Sequence, residues 1–213
     1  MRRILVASRN PKKLMELRRV LSAARVTGLE VVGLDEVAGY PETPETGATF
    51  EENALVKAQD GARATGLPCI ADDSGLTVAA LNGMPGVLSA RWSGTHGDDA
   101  ANTALLLAQL ADVPDDRRQA AFVSCCALVV PTDEYVDGEE GPEVNETAVH
   151  GEWHGAIARA PRGDNGFGYD PVFVPSGEGR TAAQMSAEEK DADSHRARAL
   201  AQLVPILRTL AEV

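Results

Sequence analysis

The chain has 213 residues, enough for one large domain or two closely joined lobes. Acidic residues outnumber basic residues by 32 to 20, for a formal net charge of -12, which argues against a nucleic-acid coat because backbone phosphates require surplus Lys and Arg. No apolar stretch reaches the roughly 18 residues of a membrane span, and the apolar run before Ser8 is too short for a signal peptide. We therefore expect a cytoplasmic protein with no nucleic-acid or membrane partner.

The first third of the chain is predicted to alternate strands and helices. An apolar run over residues 2–7 is typical of a strand, and leucines at helical spacing follow it. A second apolar run over 29–34 leads through a loop to a helix with Thr49 as its N-cap. Glu52, three residues later, completes a capping-box pattern, and Gly66 is expected to end this helix.

The middle third is predicted to contain a short strand, a turn, a helix and a long strand. Residues 69–71 read as a buried strand that ends in a turn at 72–75, Asp-Asp-Ser-Gly, because these residue types dominate turns. An amphipathic helix is expected over 98–110 and a long buried strand over 119–130. The segment 133–143 holds six acids and no base, which predicts a solvated hairpin insertion.

The last third is predicted to begin with strands and end with helices. Strands are expected over 148–158 and 172–174, on either side of a Gly-rich loop over 161–171. Two helices follow: one that starts at a capping box of Ser186 and Glu189, and one from about Ser194 past Leu207 with a kink at Pro205. Alternating strands and helices followed by hairpins predict an α/β fold with a mixed sheet.

Carboxylates in two segments are candidate metal ligands. Asp72 and Asp73 follow a buried strand, and Glu45 lies in the loop before the Thr49 helix. Acids from separate segments are the oxygen donors that Mg²⁺ prefers, with its remaining positions left to water and substrate phosphates. An ordinary Asx turn accounts for the aspartates equally well.

Lysines are few, and their positions favour an anion-binding site. The 20 basic residues include only four lysines, which are Lys12, Lys13, Lys57 and Lys190. Lys12 and Lys13 open a helix, where backbone N–H groups favour an anion. Lys57 shares a helix face with Asn53, and Lys190 lies in the charged segment EEKDADSHR. Taken together they predict phosphate binding, whereas each alone is typical of a solvated surface residue.

The segment GDNGFGYDP is a candidate base-binding loop. An aromatic ring beside glycines can stack on a base, and Asp170 or a backbone amide can read the base edge. A hairpin corner with a core Phe is the alternative interpretation. His150 and His154 share a strand face but lack a third ligand, which argues against a metal role. The chain contains no Walker loop and no G-x-S-x-G nucleophile motif.

The chain resembles the inosine triphosphate pyrophosphatase family, also called nonstandard purine nucleoside triphosphate pyrophosphatases or dITP/XTP diphosphatases, over nearly its whole length. The resemblance rests on six ordered segments: SRNPKKLMEL, ETGATFEENALVKA, IADDSGLTVAALNGMPGVLSARWSG, FVSCCALVV, PRGDNGFGYDPVFVP and MSAEEKDADSHRARAL. It implies a single domain over 1–213, with a two-lobed mixed sheet flanked by helices, an active-site cleft between the lobes, and a homodimer. The implied activity is Mg²⁺-dependent hydrolysis of ITP, dITP or XTP to the monophosphate and pyrophosphate, which keeps these nucleotides out of DNA and RNA.

The resemblance also implies roles for individual residues. Glu45 and Asp73 would hold the metal, and Asp73 would accept the proton of the attacking water. Contacts with the phosphates and the rest of the substrate would come from Ser8, Arg9, Asn10, Pro11, Lys12, Lys13, Lys57, Ser74 and Lys190. The base would be held by Phe167, Gly168, Tyr169, Asp170, His195 and Arg196. The first loop departs from the family pattern T-G-N-x-G-K, since Arg9 and Lys12 replace its glycines.

Two alternative functions stay open at this point. One is a pyrophosphatase for pyrimidine or methylated nucleotides on a related fold. The other is a nucleotide-binding regulatory module without catalysis. Glu45, Asp73 and Lys57 argue against the regulatory module, because binding alone does not need an acid that activates water.

Overall fold

The computed structural model describes residues 1–135 and 142–212. Within these ranges it contains six β strands and five α helices. The strands are β1 (Arg2–Val6), β2 (Leu29–Val32), β3 (Cys69–Val78), β4 (Gln119–Tyr135), β5 (Pro142–Ile157) and β6 (Phe173–Pro175). The helices are α1 (Pro11–Ala23), α2 (Phe50–Thr65), α3 (Asp99–Gln109), α4 (Ala187–Asp193) and α5 (His195–Glu212). Across this part of the chain, no helix is long and apolar enough to cross a membrane.

The six strands form one mixed sheet in the order β2-β1-β3-β4-β5-β6. Strand β1 is parallel to both β2 and β3, whereas β5 is antiparallel to β6. The prediction of an α/β fold with a mixed sheet flanked by helices is confirmed. The chain divides into two compact units, and β3, β4, β5 and α5 each contribute residues to both.

Unit 1 comprises Met1–Asp73, Cys125–His150 and Arg198–Val213. It has two apolar clusters, because consecutive residues of a strand point to opposite faces of the sheet. One cluster joins strand residues to leucines of α1 and α5, and includes Ile4, Val6, Ile70, Leu17, Leu21, Leu203 and Leu207. The other joins strand residues to small residues of α2, and includes Leu5, Cys69, Ala71, Ala54, Ala58 and Ala62. Even-numbered and odd-numbered residues of β1 and the start of β3 therefore face different helices.

Unit 2 comprises Ser74–Ser124 and Gly151–Ala197. Its apolar core contains Phe173, which is fully buried. The Phe173 ring lies 4.7 Å from that of Phe122 and 5.4 Å from that of Trp153, measured between centroids. Such tilted and edge-on ring contacts hold the strands of this unit together.

The turn predicted at residues 72–75 is wrong. Strand β3 runs without a break from Cys69 to Val78, through both aspartates. Asp, Ser and Gly favour turns by local preference, but β3 continues beyond its pairing with β1 at Cys69 and Ile70, and its other neighbour in the sheet, β4, is hydrogen-bonded to it. The two carboxylates are therefore fixed on a sheet strand and not on a turn.

Two further strands are longer than predicted. Strand β4 continues to Tyr135 beyond the expected end at 130, and β5 begins at Pro142 instead of 148. Residues 133–135 and 142–143 of the expected acidic insertion thus belong to strands, and residues 136–141 lie outside the described part of the chain.

The helix ends follow the predicted capping signals with one difference. The Thr49 hydroxyl accepts a hydrogen bond from the Glu52 N–H, and Gly66 ends α2 with a positive φ of 67°. The Glu52 carboxylate accepts from the Ala48 N–H at 2.6 Å, so the capping box at Thr49 is only half formed. The capping box of Ser186 and Glu189 is complete. Helix α5 is continuous through Pro205, and the kink there stays a prediction.

Candidate functional site

The strand β3 presents its two aspartates to opposite faces of the sheet. Asp72 follows the alternation of Ile70, which packs with α1 and α5, whereas Asp73 follows Ala71, which packs with α2. The side-chain contacts agree, because Asp72 pairs with Lys13 of α1 and Asp73 contacts Asn53 of α2. Adjacent carboxylates thus belong to different environments, and only Asp73 lies on the α2 face.

Asp73 is held by polar groups from α2. Asn53, fully buried, donates its Nδ2 hydrogen to Asp73 Oδ2 at 3.0 Å and accepts from the Gly47 N–H at 2.8 Å. Lys57 Nζ lies 3.9 Å from Asp73 Oδ1. Burial raises the pKa of Asp73, while Lys57 and Asn53 act in the opposite direction. A buried carboxylate of raised pKa, oriented by an amide, is suited to accept a proton.

The Lys57 ammonium is surrounded by oxygen atoms of three acidic residues. It donates to the Asp72 carbonyl oxygen at 2.7 Å and lies 3.0 Å from Glu45 Oε1. With Asp73 at 3.9 Å, three oxygen-bearing groups surround one cation. The same hard oxygen donors suit a small divalent cation, so Glu45 and Asp73 fit the predicted Mg²⁺ ligands.

The first turn of α1 and the loop before it contribute a second lysine and further predicted residues to unit 1. Lys13 Nζ lies 2.8 Å from Asp72 Oδ2, and this ion pair is largely buried. Ser8 Oγ accepts from the Asn10 N–H at 3.2 Å and so shapes the loop. The Arg9 guanidinium is instead exposed and paired with Glu42 at 3.0 Å. Pro11 is the first residue of α1, and the backbone of Lys12 follows it in the helix.

Unit 2 holds a separate group of charged predicted residues. Lys190 Nζ of α4 lies 3.1 Å from Asp170 Oδ2, which also accepts from the Phe167 N–H at 3.2 Å. Burial raises the pKa of Asp170, whereas Lys190 and Arg196 act to lower it. Arg196 is itself buried and donates to Ser74 Oγ at 3.4 Å. The structure therefore brings Lys190, Asp170 and Phe167 together, and joins Arg196 to Ser74.

The predicted base-binding residues differ in how accessible they are. His195 stacks on Phe122, with ring centroids 5.0 Å apart and planes inclined by 16°. Phe167 is 46% exposed, and an exposed aromatic side chain can stack on a base. Tyr169 is buried in the core and its hydroxyl donates to the Ser89 carbonyl at 2.8 Å. The Gly168 N–H donates to Asp99 Oδ2 at 2.7 Å.

Two residues with clear roles in these clusters were not among the predicted site residues. Asn53 orients Asp73, and its four-residue spacing from Lys57 is the signal that places both on one face of α2. Phe122 supports the His195 ring. It lies within a continuous apolar strand sequence, where no local signal separates it from ordinary core residues.

Gly166 allows Asp170 and Lys190 to approach each other. A Cβ at Gly166 would collide with Asp170 Oδ2 and lie 2.7 Å from Lys190 Nζ. We expect Gly166→Ala to lower the free energy of unfolding by about 1–2 kcal/mol for its positive φ of 89°. The collision adds roughly 1–3 kcal/mol, since the pair must separate. Urea denaturation measures the total loss.

Gly168→Ala is the matched control for this prediction. Gly168 also has a positive φ, of 60°, but a Cβ there meets no atom within 4 Å. Its substitution therefore carries the backbone strain without the collision. Equal losses in the free energy of unfolding of the two variants would show that the collision with Asp170 and Lys190 does not contribute to the loss of stability.

Comparisons with known proteins identify the family of the chain. The model of the Ham1 family matches residues 4–206. The dITP/XTP pyrophosphatase of Nocardia farcinica is 66% identical over 212 residues, covering 100% of this chain and 98% of the relative. The dITP/XTP pyrophosphatase of Mycolicibacterium paratuberculosis is 69% identical over 209 residues, covering 98% of this chain and 97% of the relative. A crystal structure from Mycobacterium abscessus, described as a nucleoside-triphosphatase / dITP/XTP pyrophosphatase, superposes with a TM-score of 0.76 at 65% identity and covers 97% of this chain and 100% of that one. The chain belongs to the Ham1 family.

Proposed function

We propose that the protein hydrolyses nonstandard purine nucleoside triphosphates, namely ITP, dITP and XTP, to the monophosphate and pyrophosphate. This reaction removes them from the nucleotide pool before they are incorporated into DNA or RNA. The observation that carries the proposal is the partly buried Asp73, which is oriented by Asn53 and lies with Glu45 around the Lys57 ammonium. The names of the close relatives, dITP/XTP pyrophosphatase, support the substrate class.

Hydrolysis requires a water molecule to attack phosphorus while pyrophosphate leaves. The oxygen of water forms the new P–O bond, the anhydride bond to pyrophosphate breaks, and the proton of the water passes to Asp73. Burial favours this transfer, since it raises the pKa of Asp73 and so makes its carboxylate a stronger base. Lys57 and Lys13 supply positive charge for the phosphate oxygens, and we assign Lys190 the same role.

Pyrophosphatases of the Ham1 family generally depend on a divalent metal. We propose that the metal is Mg²⁺ and that Glu45 and Asp73 hold it, because both supply hard carboxylate oxygens and both lie within 3.9 Å of the same Lys57 ammonium. When bound, Mg²⁺ would neutralise phosphate charge and acidify water.

Base selection follows from the donors of unit 2. A 6-oxo purine presents an acceptor where adenine presents an amino group, and we propose that His195 and Arg196 donate to this acceptor. Facing adenine, the same donors would stay unpaired at a cost of roughly 1–3 kcal/mol per buried group.

A pyrophosphate-release assay with ITP, XTP and ATP tests the proposal. We expect ITP and XTP to be hydrolysed at least about 10-fold faster than ATP, in line with one unpaired buried donor. Removal of Mg²⁺ with a chelator should abolish release, and added Mg²⁺ should restore it. Equal rates on the three purines would contradict the assigned specificity.

The same assay separates the two alternatives. Faster release from pyrimidine or methylated nucleotides than from ITP would favour the related pyrophosphatase. Binding of ITP without any release of pyrophosphate would favour the regulatory module.

The homodimer, which the resemblance implies, and the cytoplasmic location, which is expected from the apolar pattern of the sequence, stay predictions. We propose a homodimer in the cytoplasm. Light scattering during gel filtration should give twice the chain mass of 22.5 kDa. A particle of single-chain mass at micromolar concentration would contradict the homodimer.

A further inference from the structure

We propose that Glu51, Cys125 and His150 form a zinc-binding site, which we call the Glu-Cys-His site. The three side chains come from α2, β4 and β5, and one donor atom of each lies within 4.8 Å of the others. His150 Nε2 is 2.8 Å from Glu51 Oε2 and 3.9 Å from Cys125 Sγ. All three residues belong to unit 1, so the site lies within one compact unit.

The donor set is one that zinc prefers. Zn²⁺ is a borderline-soft ion that binds thiolate, imidazole and carboxylate, whereas Mg²⁺ selects oxygen donors alone. Three protein ligands with one position left to water form a common zinc arrangement. The Glu-Cys-His site therefore differs in chemistry from Glu45 and Asp73, which offer carboxylates only.

The spacing of the donors is close to that of a tetrahedral site. Zinc bonds of about 2.0 Å to nitrogen or oxygen and about 2.3 Å to sulfur place neighbouring ligand atoms roughly 3.3–3.6 Å apart. The observed separations of 2.8 and 3.9 Å lie on either side of this range. Closure around zinc thus requires shifts of about 0.5 Å in these two distances.

One ligand of the Glu-Cys-His site is buried in the sheet, and the other two are in contact with solvent. Cys125 is fully buried on β4, whereas the side chains of Glu51 and His150 are about half exposed, at 48% and 49%. The carbonyl oxygen of His150 accepts a hydrogen bond from Gln202 Nε2, which ties this part of β5 to α5. Zinc can therefore enter from solvent and reach a thiol held by the sheet.

Binding would replace the thiol proton by the metal. The pKa of Cys125 is raised to about 12, first by burial and then by Glu51, Asp73 and Asp72, while Lys57 acts to lower it. The metal-free residue is thus a neutral thiol. On binding, the S–H bond breaks, a Zn–S bond forms, and the proton leaves to solvent.

This geometry changes the interpretation of the two histidines. Their spacing along β5 pairs His150 with His154, but His154 Nε2 lies 3.2 Å from Glu152 Oε2 instead. His150 finds its partners on α2 and β4, at sequence separations of 99 and 25 residues. Spacing along one strand could not reveal them.

Titration of the full chain with Co²⁺ and then Zn²⁺, in excess Mg²⁺, tests the proposal. The excess Mg²⁺ occupies oxygen-only positions, and Co²⁺ bound to Cys125 should produce a thiolate-to-cobalt charge-transfer band at one equivalent. Zn²⁺ should abolish this band by displacement. The proposal would be overturned if Co²⁺ did not bind, or if it bound to saturation without producing the charge-transfer band.

Substitutions identify the ligands. Cys125→Ser should abolish the band, and His150→Gln and Glu51→Gln should each weaken zinc binding at least about 10-fold. His150→Gln and Glu51→Gln replace half-exposed side chains, so these variants should fold even if Cys125→Ser does not, and zinc affinity can still be measured on them. Unchanged affinity in both would overturn the site.

The chain offers matched controls for the thiol ligand and for the imidazole ligand. Cys126 is the neighbouring thiol, but it packs in the other apolar cluster, with Ile4 and Leu128, and His154 is the second histidine of β5. Cys126→Ser and His154→Gln should leave zinc affinity unchanged. Asp73→Asn should also retain zinc binding, so failure of the proposed pyrophosphatase activity and failure of this site can be told apart.

Discussion

Asp73→Asn is expected to lower kcat for ITP by roughly 10²–10⁴-fold, the usual contribution of a positioned proton acceptor. The substitution keeps the size of the side chain and an oxygen that can accept from Asn53, but it removes the basic carboxylate. Nucleotide binding should persist, because Lys57 and Lys13 keep their positive charge. Pyrophosphate release gives kcat, and calorimetry with a non-hydrolysable analogue gives the affinity.

Asp72→Asn is the matched control for this prediction. It changes the neighbouring carboxylate, which faces α1 and pairs with Lys13 at 2.8 Å. We expect it to loosen Lys13 and raise KM while kcat falls far less than in Asp73→Asn. Turnover of Asp73→Asn within a few-fold of the unmodified protein would exclude Asp73 as the base and point to Asp72.

Lys57→Met is expected to lower kcat/KM for ITP by roughly 10²–10³-fold, the effect of removing one preorganised charge from a transition state. Methionine retains much of the apolar stem but lacks the ammonium that contacts Glu45 and the Asp72 carbonyl. The phosphates would lose a cation, and the contacts of the Lys57 ammonium with Glu45 and Asp73 would be lost. Steady-state kinetics with ITP measures the loss.

Two substitutions separate the position of Lys57 from its charge. Arg63→Met removes one positive charge from the exposed last turn of the same helix, and kcat/KM should change less than about 3-fold, since solvent screens exposed charges. Lys57→Arg should restore activity only in part, because a planar guanidinium is not a compact point charge. Equal effects of Arg63→Met and Lys57→Met would show that only overall charge matters.

Local sequence signals predicted most of the helices and their ends. Thr49 caps α2 and Gly66 ends it, as expected from residue types that satisfy free backbone groups at helix termini. The complete capping box of Ser186 and Glu189 confirms the start of α4. These signals succeed because capping depends on contacts within about one turn of the chain.

The same local reasoning failed at Asp72 and Asp73. Their composition indicates a turn, yet β3 continues through them beside its hydrogen-bonded neighbour β4, beyond its pairing with β1 at Cys69 and Ile70. A two-residue periodicity then sends the carboxylates to opposite faces. The order of strands in the sheet is set by distant parts of the chain, so composition alone could not identify which aspartate faces α2.

The sequence by itself determined the family resemblance, the α/β class and the set of candidate residues, because ordered motifs and hydrophobic periodicity are properties of the chain. The shared helix face of Asn53 and Lys57 also followed from their spacing alone. Only the tertiary structure decided that Asn53 contacts Asp73, that Lys13 pairs with Asp72, and that Glu51 meets Cys125 and His150. These contacts join different helices and strands, and they form only when sheet pairing and helix packing bring distant residues together.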